Sequence, residues 1–492
     1  MGALRPLDRV ALFAAVAILA LMAASSAPLT AADACLPGDQ LPCACEGAAP
    51  SDNPTVRPCF LGDVNRQSFV QTDSYSANVF AALSWPLGGA NGVPDRQAEL
   101  RGDYATVWES WKSTRDIFQR NGEPPIAWES RERALPLSCR DLDVAAEKAR
   151  FAGADKVPDT LTPRLLDEYI NPEGDPLIDA SGQPVRYEVL MNREAYDYVA
   201  DNRLWDIGAL DAFLVANGKL SFPEGAWNRG SAEQGVSQTR GAIVAKAAWK
   251  LLDPARDDFD AFHKTWAYVT PIIENGAMAH GCQIRPVGLV GLHLALKLRL
   301  FPDWLWASFE HRAVAPTWAQ VGPSTLVTTQ SHLPDWLFYS FAQKGGPRLN
   351  KPPKDAVSGI PTRIVRAYPS GYYYPPVSPG RTPDCETSME FECFNHRLAE
   401  GLKDSVMSNY QMIGAQWRTP ENQGGLITPE VLGNATLESF SQTTSSCIGC
   451  HSHAKAKDSQ AEPGTFDFIF SFGRDVLERG APSQIDADET TN

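Results

Sequence analysis

Apolar residues recur at every third or fourth position through much of the first half of the chain, the spacing of an amphipathic helix. Asn78 to Trp85 reads as a helix stopped by Pro86, and Tyr104 to Phe118 as a second, with Val107, Trp108, Trp111 and Ile117 on one side. Tyr187 to Leu214 continues the pattern. The middle differs. Gly241 to Lys250 is a short apolar run that periodicity assigns to neither buried strand nor helix, whereas Val290, Leu292, Leu294, Leu296 and Leu298 alternate, which predicts a strand. Trp304 to His311 is its expected hairpin partner across Phe301-Pro302-Asp303. Further on, Phe391, Phe394, Leu398, Leu402, Val406, Tyr410, Ile413 and Trp417 step by three or four without a miss and predict one long helix. The expected fold class is α+β and helix-rich, a mixed body with a small antiparallel sheet followed by a helical C-terminal region.

Composition divides the chain further. Residues 33–70 collect Cys, Pro and Gly with little periodicity and read as an extended arm, and 71–344 as the mixed α+β body. Residues 345–384 hold nine Pro and five Gly, too many for a regular element, and form a connection. Its Tyr368, Tyr372, Tyr373 and Tyr374 are expected to pack on the body. Residues 385–474 make the helical C-terminal region and the polar 475–492 a tail.

With Lys+Arg 44 against Asp+Glu 59, the net charge of -15 excludes a chain-wide footprint for nucleic acid. The N-terminus predicts export. Arg5 and Arg9 precede an apolar run from Val10 to Met22, and small residues follow to Ala34, the layout of a secretory signal peptide over residues 1–32. Cleavage after Thr30-Ala31-Ala32 leaves Asp33 first, whereas a lipid-anchored start at Cys35 would put Asp33 in a poor lipobox. The apolar run is too short to span a bilayer, so the mature chain is expected to lack a transmembrane segment and to be periplasmic or secreted. All ten cysteines lie beyond the signal, where disulfides persist. Cys385 with Cys393 is the expected local pair; the remaining connectivity is open.

The chemistry lies near the C-terminal end. Cys447-Ile448-Gly449-Cys450-His451 is the C-x-x-C-H signature of covalent haem attachment. Two thiols one helical turn apart reach the two vinyl groups of one porphyrin, and the adjacent imidazole reaches the iron. Ten Cys and eight His in a chain of this length give about 0.003 such pentads by chance. A zinc knuckle would want a second Cys/His pair at ligand spacing, which His453 alone does not supply. A thioredoxin-like motif would follow a strand in a βαβ unit, and Ser439 to Ser446 is polar. Elsewhere, His263, His280, His332 and His396 are scattered singly, the carboxylates Glu274, Glu310 and Glu438 show no recognisable spacing, and Trp304, Trp306, Trp318 and Trp336 read as core more readily than as a ligand groove.

The pentad makes the chain resemble a c-type cytochrome. Gln416-Trp417, Gly433-Asn434-Ala435-Thr436-Leu437-Glu438-Ser439-Phe440 and Ser446 to His451, together with Gly288 to His293 and Trp304 to His311, are similar to large exported bacterial monohaem cytochromes. This resemblance covers about a third of the chain and implies one covalent haem c on Cys447 and Cys450, with His451 as proximal iron ligand; outside the pentad it names no function. The chain departs from the common small cytochromes, since no Met follows His451. The sixth iron position is then open or filled from upstream, with His311 or His293 as candidate distal ligands and Met407 or Met412 as alternatives. Two functions compete: electron transfer beside a redox partner protein or small-molecule donor or acceptor, and a peroxidase-like or other small-substrate haem oxidoreductase with an open iron position. A haem-bearing sensor is a third class. Any of them needs the cytochrome c maturation machinery as a partner.

Overall fold

The computed structural model describes residues 69–472 apart from internal stretches, the longest being 230–235, 322–335, 341–347, 375–384 and 456–463. The expected signal peptide at 1–32, the arm at 33–70 except its last two residues, and the tail at 475–492 lie outside the described residues.

A sheet dominates the chain. Nine strands join in it: β1 (Lys112–Ser113), β2 (Arg164–Leu166), β3 (Arg186–Met191), β4 (Ile243–Leu251), β5 (Lys264–Val269), β6 (Gln283–Leu298), β7 (Phe301–His311), β8 (Tyr410–Arg418) and β9 (Ile427–Thr428). Their order is β9-β8-β7-β6-β4-β3-β1, all antiparallel; β5 pairs with the start of β6, and β2 runs parallel to β5. The expectation of a helix-rich fold with a small sheet is therefore overturned. The β6–β7 hairpin is present, with Leu292 opposite Phe309 and Ala295 opposite Trp306, although the chain turns at Arg299-Leu300, before Phe301.

Strand replaces the expected helix for a physical reason at each site. In Tyr187 to Leu214 the first residues belong to β3, and helices begin only where side chains cap them: Asn192 accepts from Ala195 N at the start of α2 (Arg193–Asp201), and Asp206 from Ala209 N at the start of α3 (Ile207–Asn217). Tyr104 to Phe118 holds a short 3-10 turn at Trp108–Ser110, then β1 and a four-residue helix. The predicted long helix stops early, as α4 (Phe391–Gly401), and its second half is β8. Opposite β7, Ser308 pairs with Gly414 and Phe309 with Met412, so Ile413 is an extra residue in β8. Core positions Tyr410, Met412, Ala415 and Trp417 follow strand alternation through that bulge, and reading the bulge residue Ile413 together with Tyr410 and Trp417 mimics helical spacing.

One face of the sheet, with Leu292, Leu294, Leu296, Leu305, Ala307 and Phe309, is covered by α1 (Phe69–Leu83) and α4. Phe80 stacks on Phe309 at 4.3 Å. The buried Asp73 carboxylate accepts from Tyr374 (2.7 Å) and from Ala415 N (3.1 Å), tying α1 and the tyrosine cluster to β8. The opposite face carries His293, Ala295 and Lys297 of β6 and Trp304, Trp306 and Ser308 of β7. Gly291 opens this face to a close approach: a Cβ there would sit 2.0 Å from Thr436 Oγ1, so only glycine lets the 434–438 turn lie directly on β6. Asn434 fixes that turn by donating to Phe309 O (2.9 Å).

Cys385–Cys393 is disulfide-bonded as expected, and Cys139–Cys282 forms a second bridge; both are compatible with an exported chain. No helix among the described residues is long and apolar enough to cross a membrane.

Candidate functional site

The pentad folds as one short helix, α5 (Cys447–His451), laid on the second face of the sheet. Ser446 caps it, accepting from Gly449 N at 3.0 Å. Gln416 of β8, fully buried, accepts from Ile448 N (3.0 Å) through Oε1 and donates through Nε2 to Pro429 O (2.7 Å). Ile448 points inward and is fully buried. Strand and helix are thus locked together around the two thiols.

Cys447 is half-buried, Cys450 exposed, and both are free. Burial, reinforced by the Glu438 charge, pushes the Cys447 thiol well above its ordinary range. Dithiol redox centres need the reverse shift, so this pair is a poor thioredoxin-type centre. His451 Nδ1 donates to Phe468 O at 2.7 Å, and Nε2 makes no hydrogen bond to the described residues. Its ring lies 4.3 Å from Trp306 and 5.0 Å from Phe470. Burial, aided by the Lys246 charge, holds the imidazole down to about 4, so at neutral pH Nε2 presents a lone pair.

Of the two histidines singled out upstream, the structure brings only His293 to this face. Its side chain is 15 % exposed, its Nε2 has no hydrogen bond, and Glu438 Oε2 lies 3.5 Å away outside hydrogen-bond geometry. Burial first, then the Lys246 and His451 charges, push His293 down to about 3. His311, by contrast, sits on the opposite face, stacked on Phe262 at 4.8 Å. Its Nε2 donates to Ala261 O (3.0 Å) and its Nδ1 accepts from Ala313 N (3.1 Å), which leaves no lone pair for a metal. Met407 and Met412 are fully buried in the core of that same opposite face. His453 is exposed, with Nδ1 on Gly449 O, and His263 is buried against Glu109 (2.9 Å); His280 and His332 lie outside the described residues. The four tryptophans line no common groove: Trp304 and Trp306 are core, Trp318 is exposed, and Trp336 packs on Tyr339. Glu310 is spent on Arg366 and on Ala435 N (3.1 Å).

His311 carries a pH prediction. Burial lowers it to about 4 against an ordinary 6.5. The unfolded chain therefore takes up a proton that the folded chain refuses, and stability falls as pH drops from about 6.5 toward about 4, by at most about 1.4 kcal/mol per pH unit. In urea unfolding, the stability gap between wild type and His311→Gln should shrink over that window. A gap constant from pH 7 to pH 4.5 contradicts a buried neutral His311.

Lys246 and Phe468 escaped the sequence reading, and Gln416 entered it only within the Gln416-Trp417 resemblance, with no role assigned. Lys246 and Gln416 reach the pentad only through strand register, and Phe468 acts through its backbone carbonyl, which leaves no trace in residue type. A cleft of about 840 Å³ elsewhere is lined by residues such as Arg131, Arg133 and Tyr268 and contains no Cys or His. No cluster of three or more His, Cys, Asp or Glu side chains suited to a metal ion occurs among the described residues. Comparison of the chain with protein families, with curated proteins and with solved structures finds no match.

Proposed function

We propose that the chain is an exported monohaem c-type cytochrome acting in electron transfer, with one haem c held by Cys447 and Cys450. The observation that carries this reading is the pentad itself: two free thiols one helical turn apart, followed by an imidazole whose Nδ1 is engaged and whose Nε2 lone pair is free. The donor set fits the group. Each thiol would form a thioether, its S–H adding across one vinyl double bond. His451 would be the proximal ligand, oriented by Phe468 O and walled by Trp306 and Phe470. When bound, the haem supplies an iron centre that takes up and releases one electron. His293, half-buried on the same face with a buried Nε2 that has no hydrogen bond, would be the second imidazole to hold the iron.

One observation favours a second reading, a haem-dependent oxidoreductase of the peroxidase type: Glu438 stands beside His293, a pairing able to handle a proton. Spectra separate the two. The electron-transfer reading expects a low-spin wild-type protein that binds carbon monoxide slowly in the ferrous state, and a His293→Ala variant that becomes high-spin and binds it rapidly. A wild-type protein already high-spin and fast supports the oxidoreductase, and a low-spin spectrum surviving His293→Ala removes His293 from the iron.

A further inference from the structure

The carbonyl that orients His451 is itself held in place by a buried charge pair. Asp467 and Phe468 adopt left-handed backbone conformations, φ 47° and 67°, which non-glycine residues rarely take unless their surroundings impose them. Those surroundings are specific. Lys297, at the end of β6, donates from Nζ to Asp467 Oδ1 (2.7 Å) and to Pro302 O (2.7 Å). Trp304 Nε1 reaches the same carboxylate oxygen at 3.3 Å, and Phe222 N donates to Oδ2 at 2.8 Å. Lys297, Trp304 and Asp467 are all buried. The carboxylate is thus fixed from three directions, and the next residue turns its carbonyl onto His451 Nδ1 at 2.7 Å.

We propose that Lys297 and Asp467 are positioning residues for His451, clamping the Phe468 carbonyl against its Nδ1 and so setting the electron-donating strength of its Nε2 toward the iron. The inference rests on the haem reading above. A strong Nδ1–H to carbonyl bond makes the imidazole a better donor and favours ferric over ferrous iron. Loosening the clamp should therefore raise the reduction potential. A mere loss of the Lys297 cation would act in the opposite direction, because a nearby positive charge favours the ferrous state. Loss of the Asp467 anion, however, would act in the same direction as loosening, so the charge-neutral Trp304→Phe, which removes one donor to Asp467, is the variant that distinguishes positioning from simple electrostatics.

The test is a spectroelectrochemical titration of the holoprotein in wild type and in Lys297→Met/Asp467→Ala, which removes both charges together. The expected result is an equilibrium shifted toward ferrous haem by about tenfold, about 59 mV for one electron. Trp304→Phe removes one donor to Asp467 and should shift it in the same direction by less, and it decides the matter if the double variant fails to fold. An unchanged or lowered potential in the variant that folds, with haem retained, overturns the clamp. A wild-type protein without covalent haem overturns the haem reading and the clamp with it.

Discussion

Replacing Cys447 and Cys450 together by Ser is expected to abolish the proposed covalent haem while leaving the polypeptide folded. The expectation follows from what holds α5. Its first turn is capped by Ser446, tied to β8 through Gln416 and anchored by Ile448, and neither thiol takes part in those contacts. Serine is nearly isosteric with cysteine, so the fold should lose little. The double variant should then show the circular dichroism of the wild type, the mass of the bare chain, and loss of all its haem to acidified acetone. Either single variant should keep one thioether and still carry one haem in a denaturing mass spectrum. Haem that survives extraction from the double variant places the attachment elsewhere.

The largest stability effect is expected at Cys139–Cys282. That bridge closes a sequence separation of 143 residues, against 8 for Cys385–Cys393. Chain entropy scales with the logarithm of the closed loop, which gives about 5 kcal/mol for the long bridge and about 2.5 kcal/mol for the short one. Cys139 and Cys282 are also buried, so their removal sacrifices packing as well. Five kcal/mol is of the order of an entire folding free energy, about 5 to 15 kcal/mol. Cys139→Ala/Cys282→Ala should therefore lower the denaturation midpoint much more than Cys385→Ala/Cys393→Ala. Equal losses, or the reverse order, contradict the argument.

Where a segment's pattern had one reading, the chain disclosed it. The alternation from Leu292 to Leu298 favours a strand, and β6 is the centre of the sheet; Val290, at the register break between Leu289 and Gly291, faces a different cluster. The short spacing of Cys385 and Cys393 marked a local bridge. Patterns with two readings misled. The bulge at Ile413 disguised β8 as a helix, and the conversion of Tyr187 to Met191 into β3 depends on pairing with β4, more than fifty residues further on. The candidate site divides along the same line. Cys447, Cys450 and His451 are contiguous and legible as a motif, whereas the choice between His293 and His311 turns on strand parity and on which ring nitrogens are already bonded. The Lys297–Asp467 clamp joins residues 170 positions apart and is a product of tertiary structure alone.

The intact mass of the wild-type chain, recorded under denaturing conditions after extraction with acidified acetone, tests the central claim most directly. The account predicts the mass of the polypeptide plus one haem, with the added mass on the peptide that contains Cys447 and Cys450. A polypeptide of bare mass, with all haem in the acetone or none present, contradicts it.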